Sequence, residues 1–389
     1  MTHPDSTDQR RRLADRLEAE EVLRTPAWRK AVEAVPRELF LHPGFFLAES
    51  DGTWRPVTAA ATDPAEWVRL AYTDASLVTQ LDGHVTADAV SGPVTGIPTS
   101  SSTLPSLVVT MLEDLEVEDG HRVLEIGTGT GYSGALLCER LGDDAVTTIE
   151  VDPAVAARAD AALEASGHST WTITGDGLLG LPRRAPYDRV IAACAVRRIP
   201  YAWVRQTAPG GIILATLGSR PSTAGLARVV VREDGVAEGR FVRHAAFMQA
   251  RAQVTPPVSG DFASRTAYAD SERPTAVAPT RLDEPMPAFL AQLAAPGAQL
   301  VRATDVAGTA VLHLFDAERE SFAEVRRDGD GWTVRQGGPA DLWDAIERAV
   351  TEWEGVGSPP ITAMRVRVTR HSHTYRLEGS PYEWRHPVL

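Results

Sequence analysis

The sequence has two cysteines, Cys138 and Cys194, one lysine, Lys30, and no apolar run of membrane-spanning length. Two cysteines cannot build a disulfide framework, and their spacing is not that of a metal site. With one lysine, almost all positive charge is arginine, which coding bias explains before any Arg-specific recognition does. Positive charge is itself in deficit: 39 Lys and Arg against 52 Asp and Glu give a formal net charge of −13. Such a surface repels phosphate backbones and argues against a nucleic-acid partner. No stretch reaches the ~18 apolar residues a bilayer-spanning helix needs. Met1-Thr2-His3-Pro4-Asp5 leads into no apolar segment of the secretory type. The expectation is a cytoplasmic protein with no membrane partner and no metal.

What is present is a chain of 389 residues, 43% hydrophobic and 23% charged, enough for a full core and more than one domain. Leu13, Leu17 and Val22 mark a first helix after Ser6-Thr7. Thr25-Pro26 reads as an N-cap with proline in the first turn of a second, along which Trp28, Val32 and Val35 recur. From Pro43 to Pro98 the pattern weakens into loop-rich sequence. From Leu104 to Leu217 helices alternate with apolar strands at Arg122–Ile126, Ala145–Glu150, Thr170–Thr174, Tyr187–Cys194 and Gly211–Leu217. That alternation predicts a parallel sheet covered on both faces, a Rossmann-like α/β domain.

Residues 254–285, rich in Pro, Ser, Thr and Ala, read as a linker or arm. Beyond them, Asp328-Gly329-Asp330-Gly331 is a hairpin turn between strands, Leu342, Ile346, Val350 and Trp353 share a helix face, and Met364–Val368 alternates. The partition expected is residues 1–253, a linker at 254–285, and an accessory α+β domain for substrate recognition at 286–389.

The central motif is Glu125-Ile126-Gly127-Thr128-Gly129-Thr130-Gly131-Tyr132, at a strand-to-helix junction. Glycines there let the backbone approach a ligand closely, and the helix N-terminus favours negative charge. Gly129-Thr130-Gly131-Tyr132-Ser133-Gly134 matches the dinucleotide pattern, with Glu150 placed for a ribose, so a nicotinamide cofactor competes. Glu125 before the turn disfavours a pyrophosphate and suits a cationic cofactor without phosphate, S-adenosylmethionine. Glu150 ends the second strand, where its carboxylate can hold both ribose hydroxyls. Gly175-Asp176-Gly177 follows the third strand, where Asp176 can accept from an adenine amino group. Each acid alone is a common turn or cap residue; three at successive strand ends, where open sheets bind ligands, favour a cofactor site. Gly127, Thr128, Gly129, Gly131 and Gly177 complete the expected cradle.

Val123–Gly131, Glu150, Gly175–Gly177 and Ala208-Pro209-Gly210-Gly211 resemble the protein-L-isoaspartate O-methyltransferases. So do Val35-Pro36-Arg37-Glu38-Leu39-Phe40 and Ala71-Tyr72-Thr73-Asp74. The resemblance covers roughly residues 20–250. It implies a class I S-adenosylmethionine-dependent methyltransferase fold with an additional C-terminal α+β domain. The family carries Thr-Ile-Ser-x-Pro before its first sheet helix, with a hydroxyl beside methyl donor and acceptor carboxylate. Counting back from Val123 puts that proline on Pro105, so the resemblance implies Ser101, Ser102 and Thr103 as the acceptor-orienting, catalytic hydroxyls. A plain N-cap role for this Ser/Thr stretch coexists with that one.

Two departures concern the acceptor. The family's Gly-His-Gly-Gln lead-in is replaced by Ile97-Pro98-Thr99-Ser100, and the Arg37–Tyr72 and Tyr72–Ser101 gaps are longer than the family's, leaving loops at about 43–66 and 79–98. The resemblance implies methylation of a carboxylate, attack of the next backbone nitrogen on the ester, and a succinimide that opens to aspartate or isoaspartate. The rebuilt acceptor side and added domain match relatives that modify an aspartate in one dedicated ribosomal peptide, such as a lanthipeptide, lasso peptide or graspetide. Repair of damaged isoaspartyl proteins, a small-molecule carboxyl acceptor and an inactive binding module are the alternatives. His371-Ser372-His373 reads as surface histidines, Arg365, Arg367 and Arg370 as a solvated strand face, and Cys194 as a buried small residue. The sequence does not give an oligomeric state.

Overall fold

The computed structural model describes residues 6–218, 224–260, 262–304 and 308–388. Two compact units emerge, one holding residues up to Cys194 with 200–215 and 230–235, the other 195–199, 216–229 and 236 onward. This division falls earlier than the 253 and 286 boundaries read from composition. Pro- and Ser-rich texture marks exposed loops, not the place where packing changes partners.

In the first unit, α1 (Thr7–Ala19) and α2 (Pro26–Ala34) pack by the apolar faces carrying Leu13, Leu17, Trp28 and Val32. Thr25 makes no side-chain cap; Glu113 instead accepts the Arg24 and Thr25 N–H groups at 2.7 and 2.8 Å. The supposed loop-rich stretch is largely structured. It holds β1 (Gly44–Ala48), β2 (Trp54–Thr58), α3 (Pro64–Ala71), capped by Asp63, and β3 (Leu77–Leu81), and it runs on to β4 (Pro98–Ser102). The four strands form a sheet in the order β2-β1-β3-β4 over a small core of Phe46, Val78, Leu81 and Ala87. Its pattern is weak in sequence because so few apolar residues cover it.

After α4 (Pro105–Asp114) the expected alternation follows: β5 (Val123–Ile126), α5 (Tyr132–Leu141), β6 (Val146–Glu150), α6 (Pro153–Ala165), β7 (Trp171–Thr174), β8 (Tyr187–Val196), α7 (Tyr201–Gln206) and β9 (Thr207–Leu217). Strand β5 is parallel to both β6 and β8, and β6 to β7, in the order β7-β6-β5-β8-β9. The chain therefore reverses direction of winding between β5 and β8, and the crevice at their carboxyl ends is where such sheets take ligands.

The second unit opens with β10 (Gly225–Val231) and β11 (Ala237–His244). A short helix α8 (Phe262–Arg265) precedes β12 (Ser271–Thr275), which pairs with a later strand, so part of the expected linker is an edge strand. Then come α9 (Pro285–Ala294), β13 (Gln299–Thr304), β14 (Ala310–Asp316), β15 (Ser321–Asp328), β16 (Gly331–Gly337) and α10 (Leu342–Gly355). The last strands are β17 (Met364–Val368), β18 (Ser372–Leu377) and β19 (Glu383–Pro387). Strands β12 to β16 make an antiparallel sheet whose core includes Leu312, Val325, Val334 and, from α10, Leu342, Trp343, Ile346 and Val350. The α+β texture expected for the C-terminal part is present. No helix among the described residues is long and apolar enough to cross a membrane.

Candidate active site

Strand β5 ends in a turn with three glycines in the left-handed region: Gly127 (φ 86°), Gly129 (φ 55°) and Gly131 (φ 92°). The Gly127 and Thr128 N–H groups donate to Ile149 O at 2.8 and 3.3 Å, pinning the turn to β6. Gly177 is fixed by contact instead, since a Cβ there would lie 2.6 Å from Ile126 Cγ2. Main chain therefore forms the floor of the crevice, as close approach of a ligand requires.

The three acids divide into different jobs. Glu150 Oε2 accepts from Gly129 N–H at 3.0 Å and Oε1 from Asp152 N–H at 3.1 Å, which leaves lone pairs on both oxygens for a diol. Asp176 is exposed, and its Oδ1 also accepts from Leu178 N–H at 2.9 Å, capping a short turn. Glu125 is wholly buried: it takes a hydrogen bond from Ser133 Oγ and another from Thr148 Oγ1 at 2.8 Å. Thr148 in turn is 2.6 Å from Thr128 Oγ1. Burial pushes the Glu125 carboxyl up to about 7, against the two hydroxyl donors and with a smaller push from the Glu150 charge. Glu125 thus sits beneath the turn as a buried acid in a hydroxyl network, not on the open floor.

Strand β4 carries Ser101 and Ser102 beside this floor, and Thr103 follows directly after its end. The Ser101 carbonyl lies 3.5 Å from where a Gly129 Cβ would stand. Burial separates the triplet: Ser101 and Thr103 are half-buried, while Ser102 is 2% exposed and its Oγ has no hydrogen-bond partner. A small cavity joins the two sides, lined by Thr79 and Ser100 of the small sheet, Gly129 and Thr130 of the turn, and Arg158 of α6.

The profile of the protein-L-isoaspartate(D-aspartate) O-methyltransferase (PCMT) family matches residues 60–254. The chain belongs to this family. It is accordingly an S-adenosylmethionine-dependent protein carboxyl O-methyltransferase, and the glycine floor, with the remaining lone pairs of Glu150, fits that cofactor. The methyltransferase is 31% identical over 230 residues to the protein-L-isoaspartate O-methyltransferase of Ignicoccus hospitalis, an alignment spanning 59% of this chain and 90% of that one. It is 31% identical over 272 residues to that of Hyperthermus butylicus, spanning 67% and 93%. A solved structure titled protein-L-isoaspartate O-methyltransferase superposes with a TM-score of 0.56 at 21% identity, covering 95% of this chain and 99% of that one. The fold of that enzyme therefore extends over nearly the whole methyltransferase, C-terminal part included.

Other expectations fare unevenly. His373 is not a surface residue: it is fully buried, its Nε2 lies 3.1 Å from Ile199 O, and burial pushes its pKa down to about 4. Arg365 and Arg367 are exposed and pair with Glu378 and Glu238. Cys138, judged by spacing alone, had no partner. The fold sets its thiol, Asp143 and His168 within 4.8 Å, where Asp143 accepts from His168 and from Ser169 N–H at 3.0 and 2.7 Å and ties the loop. Sequence reasoning missed the second ring of the site. Gln80 Nε2 donates to Asp152 at 3.0 Å while Thr99 Oγ1 donates to Gln80 Oε1 at 2.9 Å, joining β3 and β4 to the cap of α6. No local pattern announces such a bond across 72 positions.

Proposed function

We propose that the protein methylates the side-chain carboxylate of an aspartate in a dedicated ribosomal peptide, on the way through succinimide to isoaspartate. The observation that carries carboxyl transfer is the approach of β4 to the glycine turn, Ser101 O to Gly129. S-adenosylmethionine, when bound, supplies a methyl group on a sulfonium. Gly127, Gly129, Glu150 and Asp176 are the residues that would hold it. An aspartate carboxylate is already ionised at neutral pH, so no base is needed. Ser101 and Thr103 would donate hydrogen bonds that orient the accepting oxygen, and the small cavity with Arg158 would draw the anion in and exclude water.

The dedicated peptide is supported by the acceptor strand being one edge of a four-stranded sheet built from 44–102, the stretch where spacing departs from the family pattern. A broad repair enzyme needs an open site; a sheet beside the turn suits one preshaped substrate. Repair of isoaspartyl proteins is the second reading. The curated relatives carry that acceptor in their names, and the solved relative spans the C-terminal part too, so that addition no longer argues for a dedicated substrate.

The test is turnover of three acceptors with S-adenosylmethionine, followed by mass spectrometry: a short isoaspartyl peptide, its aspartyl counterpart, and a precyclised ribosomal peptide encoded beside this chain. The proposal expects the last to gain one methyl and then lose methanol. Efficient methylation of the short isoaspartyl peptide alone assigns the enzyme to repair.

A further inference from the structure

Arg37 is fully buried and forms no ion pair among the described residues. Its guanidinium faces main-chain carbonyls instead. Nη1 donates to Ala71 O and Thr73 O at 2.5 and 3.0 Å; Nη2 donates to Ala75 O and Thr103 O at 3.1 Å and reaches Ser102 O at 3.4 Å. The Tyr132 ring, at the start of α5, lies 5.8 Å from its Cζ. Burial lowers its pKa to about 10, so it stays charged at neutral pH. A buried cation out of ion-pair contact with any carboxylate carries a desolvation cost that an apolar residue of the same size avoids. Its place therefore calls for something only a planar fork with five donors does.

That something lies at the end of β4. The β3–β4 ladder stops at the Leu77–Ser102 pair, so the main chain just beyond has no strand partner. Arg37 takes the carbonyls of Ser102 and Thr103. The segment it also grips supplies the other half: Ser76 Oγ accepts the Leu104 N–H at 3.1 Å, and Asp74 Oδ1 accepts the Ser106 N–H at 2.8 Å. Three side chains from two distant segments thus hold residues 102–106 by both edges of the backbone, where the chain leaves the candidate acceptor strand for α4.

We infer that Arg37, Asp74 and Ser76 form a positioning clamp that sets Ser101 and Thr103 in register with the glycine turn for methyl transfer. The inference rests on Ser101 and Thr103 being the acceptor-orienting hydroxyls. None of the clamp side chains needs to touch either substrate. They remove the freedom of a strand end that is otherwise unpaired, and small errors there are costly in a reaction that depends on alignment.

The experiment compares full-length Asp74→Ala, Ser76→Ala, Arg37→Lys and Arg37→Met with Ser101→Ala/Thr103→Val. The acceptor is the peptide that the parent enzyme turns over, and S-adenosylhomocysteine is the calorimetric probe of the donor side. Ser76 is exposed and Asp74 half-buried, so these two variants keep the fold even where Arg37→Met does not. The clamp predicts that Ser76→Ala raises amide exchange at Leu104, and Asp74→Ala at Ser106, about tenfold, the loss of one protecting hydrogen bond each. It also predicts that kcat falls by a similar factor while S-adenosylhomocysteine affinity and Tm hold. Arg37→Lys lies between them and Arg37→Met in kcat. Unchanged exchange at Leu104 and Ser106, or a kcat loss that only follows Tm or donor affinity, overturns the clamp. If the double hydroxyl variant keeps parental kcat, the acceptor reading itself fails; if it loses activity while every clamp variant keeps it, the clamp alone fails.

Discussion

The proposed donor and acceptor sides of this site are built by opposite means. On the donor side the turn after β5 is a local object, three glycines in five positions, hung on neighbouring parallel strands. On the acceptor side nothing is local: residues 37, 74, 76 and 80 reach across 28 to 72 positions to hold β4, its exit and the α6 cap. A constant cofactor is met by main-chain geometry, which side-chain change barely disturbs. Under the proposed assignment, a variable acceptor is met by side chains tied to main chain, each of which is separately replaceable.

That contrast breaks if the two sides do not fail independently. Glu150→Gln is expected to have the largest effect, weakening S-adenosylhomocysteine binding about 30-fold, the worth of a charged hydrogen-bond pair, with acceptor KM unchanged; calorimetry and steady-state kinetics read both. Ser101→Ala and Thr103→Val should mirror it, each lowering kcat about tenfold through one lost orienting hydrogen bond with donor affinity intact.

Glu125→Gln sharpens the donor side through pH. The Glu125 carboxyl is raised to about 7 in the fold, above its unfolded value, so its favourable contribution is full below about pH 4 and is lost as pH rises through 7. Urea unfolding at pH 5 and pH 8 should show the variant gaining about 2 kcal/mol relative to the parent at the higher pH. Ser102→Ala is expected to do least, within about 0.5 kcal/mol in stability and with kcat unchanged, because its Oγ has no partner to lose. A large kcat loss there would return Ser102 to the site.

The parallel strands, the glycine turn and the acid at the end of β6 were legible because each is a short-range pattern: an apolar run, a Gly-x-Gly-x-Gly, a carboxylate at a strand end. The β1–β4 sheet was not. Its strands are five residues long, and β4, Pro98-Thr99-Ser100-Ser101-Ser102, has no apolar residue beyond its proline to mark it. The same blindness made His373 a surface residue and residues 271–275 a linker, since burial and edge pairing depend on distant partners.

The sequence by itself determined the cofactor class and the sheet that carries it, since backbone conformation at glycines and apolar strand cores are encoded within a few residues. Only the tertiary structure decided which hydroxyls of Ser101-Ser102-Thr103 stand open. It also put Glu125 beneath the turn and used Arg37 to hold the end of β4. Burial and long-range hydrogen bonding are properties of the packed chain, and neighbours in sequence do not reveal them.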